Sequence, residues 1–339
     1  MTFDHLLMLV GFTIAAYSIV ANDAIQTLGT FLSSNSRRPW WVLWLFAVGI
    51  LYTVIIYGWI ANNGDTSYGR LERIPLPQPF GIIYLVPPLV LLWLTRRGIP
   101  VSTTFLILTI FAPSSLGGML IKSVSGYIVA FVFAIVLYFV VVRGLEKHFM
   151  SSLDQPPPRH WVALQWLSTG FLWSQWLVQD LANIFVYVPR KLDASWLAFA
   201  LVLMALLHAF TFWSRGGAIQ KVVTSKTNTA DIRSATIIDF AFGLVLLVFK
   251  EWSKIPMSTT WVFLGLLAGR EIAMTVQHQS RPMRETLGII RNDGLKVAAG
   301  LAVSVILALG LPRVAALISN VGVQPVQAQV PVPPPSVAP

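Results

Sequence analysis

The chain has 339 residues, of which 55% are hydrophobic and 11% charged, with no Cys and a mean hydropathy of +0.70. A soluble domain carries roughly 25% charged residues, so this composition excludes an ordinary soluble enzyme and points to an integral membrane protein in a lipid bilayer. The formal net charge of +10 implies no nucleic-acid partner, because most Lys and Arg lie in short loops between apolar runs, where they orient helices; absent Cys also excludes disulfides and thiolate metal sites.

The opening stretch, MTFDHLLMLVGFTIAAYSIVANDA, lacks a positive n-region and carries Asp4 and His5. It reads as a first membrane helix rather than a signal peptide. About ten crossings of roughly 20 residues each are expected. In the first half they are residues 6–34 (interrupted), 40–61, 80–95, 101–121 and 124–142. A polar connector follows at 143–160. In the second half they are 161–188 (interrupted), 194–214, 236–249, 257–277 and 297–318. The end of the chain, VGVQPVQAQVPVPPPSVAP, is Pro-rich and uncharged, the signature of a disordered extension. The expected fold is all-α, with a first repeat at 1–144, a cytoplasmic connector at 145–160, a second repeat at 161–319 and a tail at 320–339. Loops after odd-numbered crossings hold fifteen Lys and Arg, and loops after even-numbered ones hold seven. That bias places the odd loops in the cytoplasm and both termini outside, in a plasma (inner) membrane. Five crossings per half would also make the second half enter the membrane in the opposite sense.

Two phrases recur. IPVSTTF begins at Ile99 and IPMSTTW at Ile255, while ANDAIQTLG contains Asp23 and VQDLANIFV contains Asp180. The step from Asp to the Ser-Thr-Thr phrase is 79 residues in the first half and 78 in the second. Two motifs kept in order and register mark a duplicated unit, and inverted repeats with interrupted helices are the architecture of secondary transporters. A carboxylate inside a membrane helix is costly and faces a cavity, an ion or a partner. Asn22 and Gln26 flank Asp23, and Gln179 and Asn183 flank Asp180. Positions three apart share a helical face, so Asp23 with Gln26, and Asp180 with Asn183, are expected to converge as a hard-oxygen cage. It would hold Na⁺, with Asp23 and Asp180 as ligands, or a proton. Pro100 and Pro256 suit a helix's first turn. Ser102, Thr103, Thr104 and Ser258, Thr259, Thr260 would then present hydroxyls and free N–H groups to an anion at the positive end of a helix, the plainer alternative being that they simply cap their helices.

With these motifs the chain resembles the inorganic phosphate transporter (PiT) family, solute carrier family 20, which carries a G-A-N-D-x-x-N and a P-V-S-T-T-H phrase in each of two inverted repeats. The resemblance spans residues 15 to 310. It implies sodium- or proton-coupled uptake of phosphate, with the Asp pair on the cation and the Ser and Thr groups on the anion, and no cofactor. Asn22, Asp23, Ser102, Thr103, Thr104, Asp180, Asn183, Ser258, Thr259 and Thr260 match its pattern. The sequence departs from it at Gln26 and Gln179, which stand where the family has Asn, and at Phe105 and Trp261, which stand where it has His. The longer amides change the size of the site, so sulfate or another small oxyanion stays open, as does a homodimer.

Other polar residues have plainer readings. Arg270 and Glu271 read as an adjacent ion pair closing a helix break, the alternative being that Arg270 contacts an anion. Asp239 is either a partner for a basic side chain or an ion-path residue. His208 is a hydrogen-bonded bundle histidine, RRPWWVLW at 37–44 an interface belt, and QKVVTSKTNTADIR at 220–233 a solvated loop. A membrane enzyme would need a nucleophile or His-based acid–base groups, but the five His fall outside the repeated motifs. A passive anion channel would leave the duplicated Asp motifs without a purpose.

Overall fold

Long apolar runs without internal Pro leave the backbone one way to satisfy its polar groups in a bilayer, which is to coil. A computed structural model describes residues 2–97, 101–142, 158–216, 220, 232–278 and 282–322, and no strand occurs among them. In chain order the helices are α1 (Phe3–Ile19), α2 (Ile25–Ser34), α3 (Trp40–Ala61), α4 (Val86–Arg96), α5 (Thr109–Phe111) and α6 (Leu116–Leu137). They continue as α7 (Arg159–Phe185), α8 (Ala194–Trp213), α9 (Ile232–Trp252), α10 (Thr259–His278) and α11 (Met283–Gly322). Among the described residues six helices are both long and apolar enough to span: Phe3–Ser34, Trp40–Ala61, Pro113–Val140, Ala194–Trp213, Ile232–Trp252 and Met283–Leu311. The 27-residue α7 and 20-residue α10 have the length, but their polar residues lower the hydropathy. Trp41, Ile60, Ile121, Val132 and Leu206 remain exposed, the apolar outer face that lipid covers.

Where the chain departs from expectation, the cause is local. The first helix is not broken at Asp23; it runs through one wide π-turn, Val20–Ala24, between α1 and α2. The expected interruption near Asp180 is absent, and α7 stays α-helical to Phe185, because no Gly or Pro follows Gly170 until Pro189. Residues 101–121 are not one crossing. A π-turn at Thr104–Leu108 and the short α5 end at Ala112 (φ −145°, ψ 79°), since Pro113 keeps the preceding residue out of the helical region; α6 then begins at Leu116. Helix α7 starts after Pro158, so Arg159 and His160 are helix rather than connector. Pro256 lies outside the helix it precedes, which starts at Thr259. Helix α11 extends past 320, into the stretch read as tail. Pro100, most of the connector and the 220–233 loop, and the tail beyond Gly322 lie outside the described residues.

Four packings position the site. Helix α1 packs on α4 and α7 on α9, while the helix after each Ser-Thr-Thr phrase packs on the last helix of the other half: α5 and its preceding π-turn on α11, and α10 on α6. The α6–α10 seam is close because a Cβ on Gly265 or Gly269 would run into the backbone carbonyl of Tyr127 or Phe131. Small residues are what let membrane helices approach this far. Both Trp173 and Trp176 are buried, stacked with centroids 4.8 Å apart, and the Trp173 indole donates to the Ala47 carbonyl at 2.9 Å.

The loop after α3 is rigidly built. Asp65 accepts from the Ser67 N–H (2.7 Å), the Ser67 hydroxyl (2.6 Å) and the Gly69 N–H (2.6 Å). Gly69 takes φ +75°, which a side chain resists. The loop docks on the other half: Leu192 N–H donates to the Gly64 carbonyl (2.9 Å), and the Trp59 indole to the Leu192 carbonyl (2.8 Å). Arg190 ties down the turn after α7 by donating to the Val186 and Val188 carbonyls at 3.0 and 2.9 Å.

Candidate functional site

The two carboxylates come together. Asp23 and Asp180 are buried and within electrostatic reach of each other. Each is held by the first Thr of its own half's phrase: Thr103 donates to Asp23 Oδ2 at 2.5 Å and Thr259 to Asp180 Oδ2 at 2.6 Å. Each also accepts an amide: Asn22 Nδ2 reaches Asp23 Oδ1 and Asn183 Nδ2 reaches Asp180 Oδ1, both at 2.7 Å. The second Thr of each phrase crosses to the other phrase. Thr104 donates to the Met257 carbonyl at 3.0 Å, and Thr260 to the Val101 carbonyl at 3.5 Å. Asn183 ties the halves further, with Nδ2 within 3.0 Å of Thr103 Oγ1 and 3.2 Å of Thr104 Oγ1.

The expected convergence three residues apart therefore holds for Asp180 with Asn183 but not for Asp23 with Gln26. The π-turn at 20–24 changes the helical phase, so Asn22 takes Asp23, and Gln26 Nε2 sits behind it on Asn22 Oδ1 at 3.3 Å. Gln179 stays outside the cluster, because a residue adjacent to Asp180 on an α-helix points elsewhere; it donates to the Leu246 carbonyl at 3.2 Å. The Ser hydroxyls act as helix caps, Ser102 accepting from Phe105 N–H and Ser258 from Trp261 N–H, each at 3.3 Å. Ser258 N–H is itself taken by Ser123 Oγ at 2.9 Å. All six hydroxyls of the two phrases are thus engaged internally, and an incoming ion must exchange partners with them.

The remaining polar residues divide clearly. Arg270 and Glu271 pair at 3.5 Å within a continuous helix, so there is no break for them to close. His208 Nδ1 bonds the Met204 carbonyl at 2.7 Å. Arg38 lies over the Trp166 ring, 5.4 Å from its centroid. Asp239 has no basic partner among the described residues; instead Thr30 of α2 and Thr169 of α7 donate to its two oxygens at 2.6 and 2.5 Å. It is a third buried carboxylate, joining the two helices that carry Asp23 and Asp180 or their continuation. Sequence reasoning singled out Asp239 but missed its partners, since Thr30 and Thr169 lie far from it in the chain. It also passed over Arg70, counted as an orienting loop charge. Arg70 is 4% exposed and donates through Nε to the Val178 carbonyl at 2.7 Å. Burial lowers its guanidinium from the usual value to about 10, against the opposing charges of Asp180 and Glu251, so it stays a cation at neutral pH.

No model of a known family matches the chain, and neither does any curated protein sequence. A solved structure does match, described as "The sodium-dependent phosphate transporter", with a TM-score of 0.61 and 15% sequence identity, over 94% of this chain and 100% of the other. The fold is shared with that protein. The match runs through both halves, so the bundle as a whole, and not one hairpin of it, corresponds.

Proposed function

We propose that the chain is a cation-coupled symporter, with Na⁺ as the coupling ion and inorganic phosphate as the substrate, working by alternating access between two inverted repeats. The observation that carries this reading is the single network joining both carboxylates to both Ser-Thr-Thr phrases. A solved protein of the same fold being described as a sodium-dependent phosphate transporter supports it.

The network suggests how one ion admits the other. Thr103 and Thr259 each have one hydroxyl proton to give, and Asp23 and Asp180 hold both. A cation that neutralises a carboxylate weakens that hydrogen bond, since bonds to charged acceptors are roughly twice as strong as neutral ones. The freed hydroxyls, with the Thr104 and Thr260 groups beside them, then turn to an oxyanion. In this reading Asn22, Gln26 and Asn183 keep the carboxylates oriented through the exchange, and no covalent chemistry occurs.

Uptake of labelled phosphate into proteoliposomes under an imposed inward sodium gradient, with unlabelled sulfate as competitor, tests the proposal. Uphill accumulation that sulfate leaves untouched is expected. Accumulation blocked by sulfate would move the substrate to the alternative oxyanion that Gln26 and Gln179 leave open, and a proton gradient driving uptake without sodium would replace the coupling ion. No accumulation under either gradient, in folded protein, would defeat the reading.

A further inference from the structure

The proposed network leaves the buried cations Arg70 and Lys122 unused. Arg70, 4% exposed, spends Nε on the Val178 carbonyl, while its Nη1 is buried with no partner. Lys122, 5% exposed, donates from Nζ to the Ser253 and Ile255 carbonyls at 2.6 and 2.8 Å. Both sets of partners are neutral, and among the described residues neither cation closes an ion pair. The two lie within electrostatic reach of each other, and Arg70 also within reach of Asp180. Glu251, the other carboxylate near Arg70, is solvent-exposed and pairs with Lys250 at 3.1 Å. Buried charges without a counter-charge are strongly unfavourable, and two of one sign within electrostatic reach of each other more so. Neither side chain is where it is by accident of a loose loop: Asp65 fixes Gly69 and so aims Arg70 inward, and Lys122 directly precedes Ser123, which holds Ser258 N–H.

We propose that Arg70 and Lys122 form an anion subsite beside the Asp180 half, in which a divalent oxyanion takes the open Nη1 of Arg70 and its charge is balanced by both cations. The assignment rests on the transport reading above and deepens it. Charge balance gives the coupling a sign. At formal charge Arg70 and Lys122 against Asp23 and Asp180 sum to zero, and a monovalent cation on each carboxylate raises the sum to two positive charges, the complement of a dianion. An arginine fork suits a tetrahedral oxyanion with two parallel donors, which a lysine cannot supply.

Two readouts on the full-length protein test this. In detergent, phosphate added in sodium buffer raises the melting temperature of the wild type, and Arg70→Gln abolishes that rise. In proteoliposomes, Arg70→Gln raises KM for phosphate by about tenfold or more while the sodium half-saturation stays within about twofold, and Arg70→Lys recovers part of the loss. Lys122→Met raises KM in the same direction. Should Arg70→Gln fail to fold, Arg70→Lys decides alone: a KM about threefold or more above wild type supports the subsite. An unchanged KM and melting shift in either folded Arg70 variant overturns it. Wild type that transports phosphate through an indifferent Arg70 leaves symport standing and removes the subsite. Wild type that transports nothing, yet is stabilised by phosphate or sulfate only when Arg70 is present, does the reverse. No stabilisation by any oxyanion and no transport removes both.

Discussion

The two Asp-bearing segments begin from nearly the same phrase and end in different geometry. Around Asp23 the helix widens into a π-turn, and the carboxylate's amide is its neighbour Asn22. Around Asp180 the helix stays regular, and the amide comes from Asn183, one turn on, which also reaches across to Thr103 and Thr104. The difference teaches that a duplicated motif fixes which groups meet but not how they are strung together. The Asp180 side bridges both halves, whereas the Asp23 side is closed within its own. Under the proposed coupling, in which each carboxylate takes a cation, two sites built this way would be unequal, and loss of the bridging side should be felt at both.

Removing either charge should break the comparison outright. Asp23→Asn and Asp180→Asn are each expected to cut sodium-driven phosphate uptake at least about 100-fold, some 2.7 kcal/mol of coupling, in protein that still elutes as a folded species. Full sodium-dependent uptake by Asp23→Asn would show that only the bridging carboxylate carries a cation. Next come the hydroxyl donors. Thr103→Val and Thr259→Val each remove one hydrogen bond to a charged group, of about 1.5–3 kcal/mol, so initial uptake rates should fall by about tenfold or more. Thr→Ser at either position should restore most of the rate, and Thr103→Val should be the worse because Asn183 also leans on that hydroxyl.

The amides sharpen the contrast at smaller scale. Asn183→Ala should raise the sodium half-saturation by about tenfold, and Gln26→Ala, which acts on Asp23 only through Asn22, by about threefold at most. Equal effects would mean that the π-turn does not insulate Gln26. Smallest are two stability tests. Thr169→Val leaves one oxygen of buried Asp239 without its donor, a loss of about 1–3 kcal/mol, read as a lower melting temperature. Tyr187→Phe should be nearly silent, because the buried Tyr187 hydroxyl has no partner to lose.

Much of this was legible in the sequence, for identifiable reasons. Charge-free runs announce membrane helices by length alone, so α3 and α8 fall within a residue or two of expectation. The Asp-to-Ser-Thr-Thr spacing announced that distant phrases would meet, as Asp23 and Thr103 do. What the sequence hides is helical phase. Nothing in ANDAIQTLG says that one extra residue will be taken into a turn, so the sequence points Asp23 to Gln26 although its amide partner is Asn22. The capping role of Ser102 and Ser258 stood as the plainer of two readings, since a Ser three residues before an amide looks the same in sequence whether its hydroxyl faces a ligand or its own backbone. Arg70 was hidden by its loop: a charge between two membrane helices reads as topological until the loop is seen to fold inward.

The glycine seam between α6 and α10 also constrains motion. The Tyr127 and Phe131 carbonyls sit over Gly265 and Gly269, two teeth in two notches, each pair four residues or about 6 Å apart along its helix. A small slide of one helix along the other would drive a carbonyl onto a bulkier neighbour, so the pair can change register only by a whole tooth. Short of that step α6 and α10 form one lever. Thr259 then cannot withdraw from Asp180 without carrying Lys122 along, and in the proposed transport cycle both would leave the carboxylate together or not at all.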